Sequence, residues 1–315
     1  MDQIFQIFNE LSADGSYSSR AEAGKAIVQL ARLTGKMCSI GFSPFLMTTE
    51  NVALLQMCEG YTILNCLYDN FHAQEPEMKL LMISATKAPH IEGLLNDEQG
   101  NTMLEFRYRQ VQALGLGLGS IRNIPVLSLN CFSEEGEIEL ERTSIIDDGS
   151  LQTSTVHAET ISSCERFTKR RAYLHTVAQS NIKNGKDLCS NFEKLFPNLK
   201  LSDRARKDIC SLNGNEEFFR EFMRHFSVLS DEAKDWNGGC DFMPKGIDCS
   251  PESTETLKRY EMEHTFICCD GTARLFSLHS KIFSANKRIY FSHDKENSIV
   301  HIGHAGDHLP TVDYH

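Results

Sequence analysis

The stretch KRIYFSHDKENSIVHIGHAGDHLPT, Lys287 to Thr311, restricts the possible folds more than any other part of the chain. Two strand-like runs, KRIYFSH and SIVHIGHAGDH, flank the polar turn DKEN, so the sequence predicts an antiparallel hairpin. Upstream, HTFICCDGTARLFSLHSKI adds an Asp-Gly turn and a further strand, extending the hairpin into a meander. The hairpin carries His293, His301, His304 and His308.

The segments before it read differently. In NEEFFREFMRHFSVLSDEAKDW, Phe218, Phe219, Phe222 and Phe226 form one helical stripe, expected to face a core. ISSCERFTKRRAYLHTVAQSNI contains no Pro or Gly and reads as helix, and Ser202 is placed to cap another helix beyond Pro197. The stretch 237–254 reads as loop. In the first half, Leu104, Phe106 and Tyr108 alternate with charged residues, predicting a half-buried strand, and IPVLSLNCF predicts a central one. EMKLLMISAT is another strand candidate, and residues 1–36 read as two helices broken at SADGSYSSR. We expect an α+β protein with a mixed N-terminal domain (1–155), a helical middle (156–250) and a small C-terminal antiparallel β meander (251–315). Charge supports the first boundary: twelve acidic and four basic residues lie between 92 and 160, but four acidic and eleven basic between 164 and 207.

A net charge of −11 argues against a protein that coats nucleic acid through its overall field, although a local basic patch can still act. The eleven cysteines, an odd number, follow a start without a basic leader, so we expect reduced thiols and a cytoplasmic location. No run of eighteen apolar residues occurs, and no membrane span is expected. Gly115, Gly117 and Gly119 alternate with leucines, but neither a dinucleotide fingerprint nor a P-loop results; a close backbone crossing or a bulged turn is expected.

Seven of the twelve histidines fall in the last 52 residues, which points to acid–base, metal or phosphate-contact chemistry. His301, His304 and His308 have roughly the spacing of metal ligands, but it is a helical spacing, and in a strand His301 should face away from His304. We therefore expect no metal and no other cofactor. An alternative is RNA chemistry: Arg288 to clamp a phosphate, with His308, His304, His279 and Tyr290 as proton-transfer candidates and the substrate's 2′-hydroxyl as nucleophile. A third reading is structural, with Gly303 and Gly306 serving a turn and His308 bonding the chain end. Separately, Arg166, Lys169, Arg170, Arg171 and Tyr173 in CERFTKRRAYLH suit phosphate contact and base stacking, or docking on the acidic segment 133–148 of the same chain.

Residues 276–311, FSLHSKIFSANKRIYFSHDKENSIVHIGHAGDHLPT, are similar to the terminal strands of RelE/HigB-type toxins: a basic strand, RI-Y-F, a charged turn, an I-V strand and a final turn with histidine. The resemblance implies ribosome-dependent messenger-RNA cleavage, with Arg288 on a phosphate and His304 or His308 in catalysis. The final turn departs from the family in having Asp307 and no lysine. The chain as a whole, including LFPNLKLS and HAGDHLPT, also resembles uncharacterised bacterial proteins found among phage-defence genes. Together these imply a defence- or toxin-type effector acting on nucleic acid, RNA favoured. The alternative is a non-catalytic subunit that contacts a partner protein of a defence complex.

Overall fold

In a computed structural model that describes residues 5–70, 78, 81, 87–99, 104–132, 136–145, 149–214, 217–236 and 242–314, the chain forms two compact units, Gln3–Ala178 and Gln179–His315. Each combines helices with a mixed sheet, so the protein is α+β as expected.

The first unit is built on a strand where the sequence suggested a helix. β1 (Gln6–Phe8) lies between β2 (Leu46–Met47) and β7 (Val126–Leu127), parallel to both. Gln6, Ile7 and Phe8 are all buried, so a short apolar run fits a fully covered strand as well as a helix, and periodicity cannot separate the two. The Gln6 side-chain amide donates to the carbonyls of Ser43 at 2.8 Å and Thr34 at 3.2 Å, which makes a polar residue tolerable there. The following α1 (Arg20–Cys38) is capped by Ser19, which lies within the break read at SADGSYSSR.

The rest of this sheet contains β9 (Leu151–Ile161), β8 (Gly136–Ile145), β5 (Leu104–Tyr108) and β6 (Val111–Gln112), in the spatial order β2-β1-β7-β9-β8-β5-β6. A small hairpin of β3 (Gln56–Cys58) and β4 (Tyr61–Thr62), and the helices α2 (Ile63–Asn70) and α3 (Ile91–Gln99), complete the first half of the unit. The strand candidate EMKLLMISAT lies mostly outside the described residues; Met78 and Leu81 within it are helical and buried. The glycine run is neither turn nor bulge but helix α4 (Leu114–Arg122). The close crossing is real: a Cβ on Gly115 would lie 2.2 Å from the Phe8 carbonyl oxygen. The Glu10 carboxylate accepts from the amides of Leu114 at 2.5 Å and Gly115 at 2.9 Å, so the chain supplies its own anion to this helix N-terminus.

The domain limits read from the sequence need two corrections. β9 crosses residue 155 and pairs along its length with β8, so a boundary there would cut a hairpin. The unit ends instead within α5 (Cys164–Ser180). The second limit, at 250, would remove β10 (Leu199–Leu201) and part of β11 (Cys249–Pro251) from the C-terminal sheet they belong to.

The second unit begins with α6 (Gly185–Leu195), β10 and α7 (Asp203–Cys210), the last capped by Ser202 as expected. The long α8 (Glu217–Asp235) buries Phe219, Phe222 and Phe226 and packs on the sheet. After β11 come α9 (Thr254–Arg259), the hairpin β12 (Thr265–Ile267) and β13 (Ala273–Leu275), then β14 (Leu278–Ile282), β15 (Lys287–Asp294) and β16 (Ile299–Asp307). The predicted meander is β14-β15-β16, completed by antiparallel β11 on one edge and parallel β10 on the other.

α8 covers one sheet face through His225, which is 1% exposed. Its Nε2 accepts from the Arg224 guanidinium at 3.1 Å and its Nδ1–H donates to Ser280 Oγ at 3.1 Å. Burial, reinforced by the Arg224 charge, holds this imidazole down to about 4 from an ordinary 6.5. The unfolded chain therefore binds this proton more readily, and stability falls as pH drops from about 6.5 through about 4. Thermal melts across this window should show the loss in the wild type, and a smaller one in His225→Gln.

Candidate functional site

The other face of the C-terminal sheet gathers the candidate residues. Strand register places Ser250, His279, Tyr290 and His304 in one row across β11, β14, β15 and β16. Residues opposite one another in a sheet share a face, so a row of four polar side chains is set by pairing alone. The row continues past a β-bulge: Tyr290 faces His304 and Phe291 faces Ile302, leaving Gly303 as the extra residue. A Cβ on Gly303 would press within 2.6 Å of the Phe266 ring, so the position takes no side chain. The bulge also corrects the expected parity. One extra residue resets the alternation, so His301 lies on the same side as His304, close to the charges of Arg274, Asp270 and Asp294. Gly303 and Gly306 both lie within β16 and serve no turn.

Glu252 is the hub of the row. Its carboxylate is 7% exposed; His279 Nδ1 lies 2.9 Å from Oε1, and the Tyr290 hydroxyl donates to the same oxygen at 3.3 Å. Burial alone would push this carboxyl up. The close contact with His279 and the charges of His279, His264 and His308 outweigh it and hold the group below its ordinary value. On the far side of His279, Nε2 lies 3.1 Å from Ser250 Oγ. Completely buried His264 places Nε2 3.0 Å from the Pro310 carbonyl, tying the C-terminal tail over the row.

The five nominated residues separate by accessibility. Tyr290 is fully buried and packs with Cys268 and Phe276; burial, then the Glu252 charge, raises its phenol far above the ordinary value. It orders the site but is closed to a substrate. His304 is also buried, with Nδ1 2.6 Å from Asp208 Oδ2 and Nε2 2.8 Å from the Asp307 carbonyl, so both nitrogens are occupied and it acts as a strut. His279 is nearly buried between Glu252 and Ser250. Only Arg288 and His308 are half-exposed.

His308 follows β16, and its Nδ1–H donates to the Leu309 carbonyl at 2.6 Å. That bond assigns the proton to Nδ1 and leaves Nε2 as the unprotonated nitrogen. Burial, then the positive charges of Arg288 and His279, push the imidazole below its ordinary value, opposed by the Leu309 hydrogen bond and the Glu252 charge. A neutral imidazole with a free lone pair is a general base at neutral pH. Arg288, opposite Gly306 in register, spends Nη1 on the Lys287 carbonyl at 2.9 Å, while its buried Nε has no partner among the described residues. His308 also lines a polar cavity of about 200 Å³ with Arg204, Asp208, Lys287, His304 and Asp307. The two cations there are paired, Arg204 with Asp208 and Lys287 with Asp307, each at 2.9 Å. Among the described residues, no three His, Cys, Asp or Glu side chains converge as metal ligands would.

The basic helix α5 docks within its own unit. Arg170 makes a two-pronged contact with Glu159 at 2.7 and 2.9 Å and stacks on Tyr173, and Arg166 lies 3.8 Å from the same carboxylate. Lys169 pairs with Glu165 on its own helix at 2.7 Å, and Arg171 is exposed. The acidic docking partner is thus chiefly Glu159, just beyond the expected 133–148 segment.

Sequence reading missed Glu252, Ser250 and Asp208. Glu252 and Ser250 fall in DCSPEST, where proline and turn residues conceal a three-residue edge strand, and Asp208 meets His304 only across 96 residues of chain. His264 was visible as part of the histidine concentration, but nothing local marked it as the tail's anchor. Compared with protein-family models, curated proteins and solved structures, the chain matches none. Among the described residues, no helix is long and apolar enough to cross a membrane.

Proposed function

We propose that the C-terminal unit is a metal-independent ribonuclease centre of a defence- or toxin-type effector. The observation that carries this is the contrast between Arg288 and His308, both half-exposed, and the buried His279–Glu252–Tyr290 assembly on the same sheet. In this reading Arg288 holds the non-bridging oxygens of a phosphodiester, and His308 Nε2 takes the proton of the neighbouring 2′-hydroxyl. The 2′-oxygen attacks phosphorus, the bond to the 5′-oxygen breaks, and the departing oxygen takes its proton from solvent. The similarity of residues 276–311 to RelE/HigB-type strands supports the same substrate. Full-length chain with mixed-sequence single-stranded RNA in excess EDTA should give fragments ending in 2′,3′-cyclic phosphate. Intact RNA in the presence of folded protein contradicts the proposal.

A second reading, a non-catalytic subunit that contacts a partner protein, is favoured by a different observation. The β12–β13 hairpin and the segment before it expose Met262 at 87% and Ile267 at 68%, more apolar surface than so small a hairpin requires. Recovery of a stoichiometric partner by the folded chain, together with no cleavage of RNA, would favour this reading.

A further inference from the structure

We propose that Ser250 is an activated nucleophile, forming with His279 and Glu252 a serine–histidine–glutamate relay that acts on uncharged carboxylic esters. This goes beyond RNA cleavage, which uses the substrate's own hydroxyl and does not involve Ser250.

Three observations carry it. Ser250 Oγ lies 3.1 Å from His279 Nε2, and His279 Nδ1 lies 2.9 Å from Glu252 Oε1, an ion-pair contact rather than an aligned hydrogen bond, so one imidazole stands between a hydroxyl and a carboxylate with opposite nitrogens toward each. This is the arrangement a hydroxyl needs to lose its proton as it attacks. The supporting members are nearly buried, with His279 and Glu252 each about 7% exposed at the side chain, whereas Ser250 is half-buried and lies on the edge strand. Pairing of Ser250 with His279 in the β11–β14 register, together with the Tyr290 hydroxyl on Glu252, holds the three in place. The substrate class follows from charge: the Glu252 carboxylate stands behind His279, and Asp248, two residues before Ser250, engages the Lys281 ammonium at 3.5 Å rather than leaving it free to hold a phosphodiester, which favours a neutral ester.

In the reaction, Ser250 Oγ bonds to the carbonyl carbon and its proton passes to His279 Nε2. The bond to the ester oxygen breaks, and the leaving alcohol takes that proton. Water then attacks the acyl-serine, again giving its proton to His279, and the acid departs as Ser250 regains its hydrogen.

A biotinylated fluorophosphonate, incubated with full-length chain in the absence of RNA, reads this directly. Serine oxygen bonds to phosphorus, fluoride leaves, and His279 takes the proton. Peptide mass spectrometry should place the label on Ser250, Ser250→Ala should abolish it, and His279→Ala should slow it by about a hundredfold or more. Glu252→Gln preserves shape while removing the charge that faces His279, so it should slow labelling in chain that circular dichroism shows to be folded. No label on Ser250 of the folded wild-type chain overturns the proposal, as does a rate unchanged in folded His279→Ala. Either outcome is independent of whether RNA is cut.

Discussion

His308→Ala should lower RNA cleavage by about a thousandfold, within the range that a positioned proton-transfer group contributes. The same change should leave folding stability within about 0.5 kcal/mol of the wild type, as for surface substitutions away from special features. The two effects separate because of where the ring sits. It is half-buried, its hydrogen bond runs to the carbonyl of the next residue, and its nearest ring contact, 4.8 Å between centroids, is with the exposed Tyr314, so little core packing is lost with it. Arg288→Ala should also lower cleavage strongly, while Arg288→Lys should restore only part of it, since an ammonium cannot present two parallel donors to a phosphate. His304→Ala should behave differently. It removes a buried strut and leaves Asp208 without its partner at 2.6 Å, so lost activity should come with a lowered melting temperature. Activity and melting measured together on the three variants distinguish a reacting group from a supporting one.

Gly115→Ala should destabilise the first unit by about 3 kcal/mol, at the upper end for overpacking. An added Cβ would meet backbone, the Phe8 carbonyl oxygen at 2.2 Å, and the Glu10 carboxylate at 2.8 Å. Neither can withdraw cheaply. Phe8 belongs to a buried strand, and Glu10 is fixed to the amides of Leu114 and Gly115. Moving the helix away would break those bonds and leave a carboxylate, already raised by burial, without its compensating donors. Gly93→Ala is the control: its Cβ meets nothing within 4 Å, and the substitution should be neutral or slightly stabilising by helix propensity. Chemical denaturation followed by circular dichroism measures both; similar midpoints for the two variants would show that the close crossing is unimportant.

These expectations also show which features could be read from sequence. The meander was legible because alternation and turn chemistry persist over β14, β15 and β16, and the Phe219, Phe222 and Phe226 stripe because α8 is long enough to show a period. β1 was read as helix because three buried residues carry no period of their own. The face occupied by His301 was mispredicted because one unpaired residue, Gly303, inverts the alternation beyond it. Histidine concentration marked the sheet on which His279, Tyr290 and His304 share a row, and of the nominated residues Arg288 and His308 are half-exposed. Glu252 was invisible, since its importance comes from the pairing of β11 with β14, and sequence distance conceals that pairing.

In the proposed centre Arg288 and His308 act together, with His308 as the neutral base. The most direct test is the pH dependence of kcat/KM for RNA cleavage, in the wild type and in Arg288→Gln. A base must be unprotonated, so the wild-type rate should fall as pH drops through the His308 pKa, on a limb lying below 6.5. Since the Arg288 charge helps hold that pKa down, Arg288→Gln should move the limb to higher pH while lowering the plateau. A limb at or above 6.5 in the wild type, or one that stays in place when the charge is removed, would contradict the account.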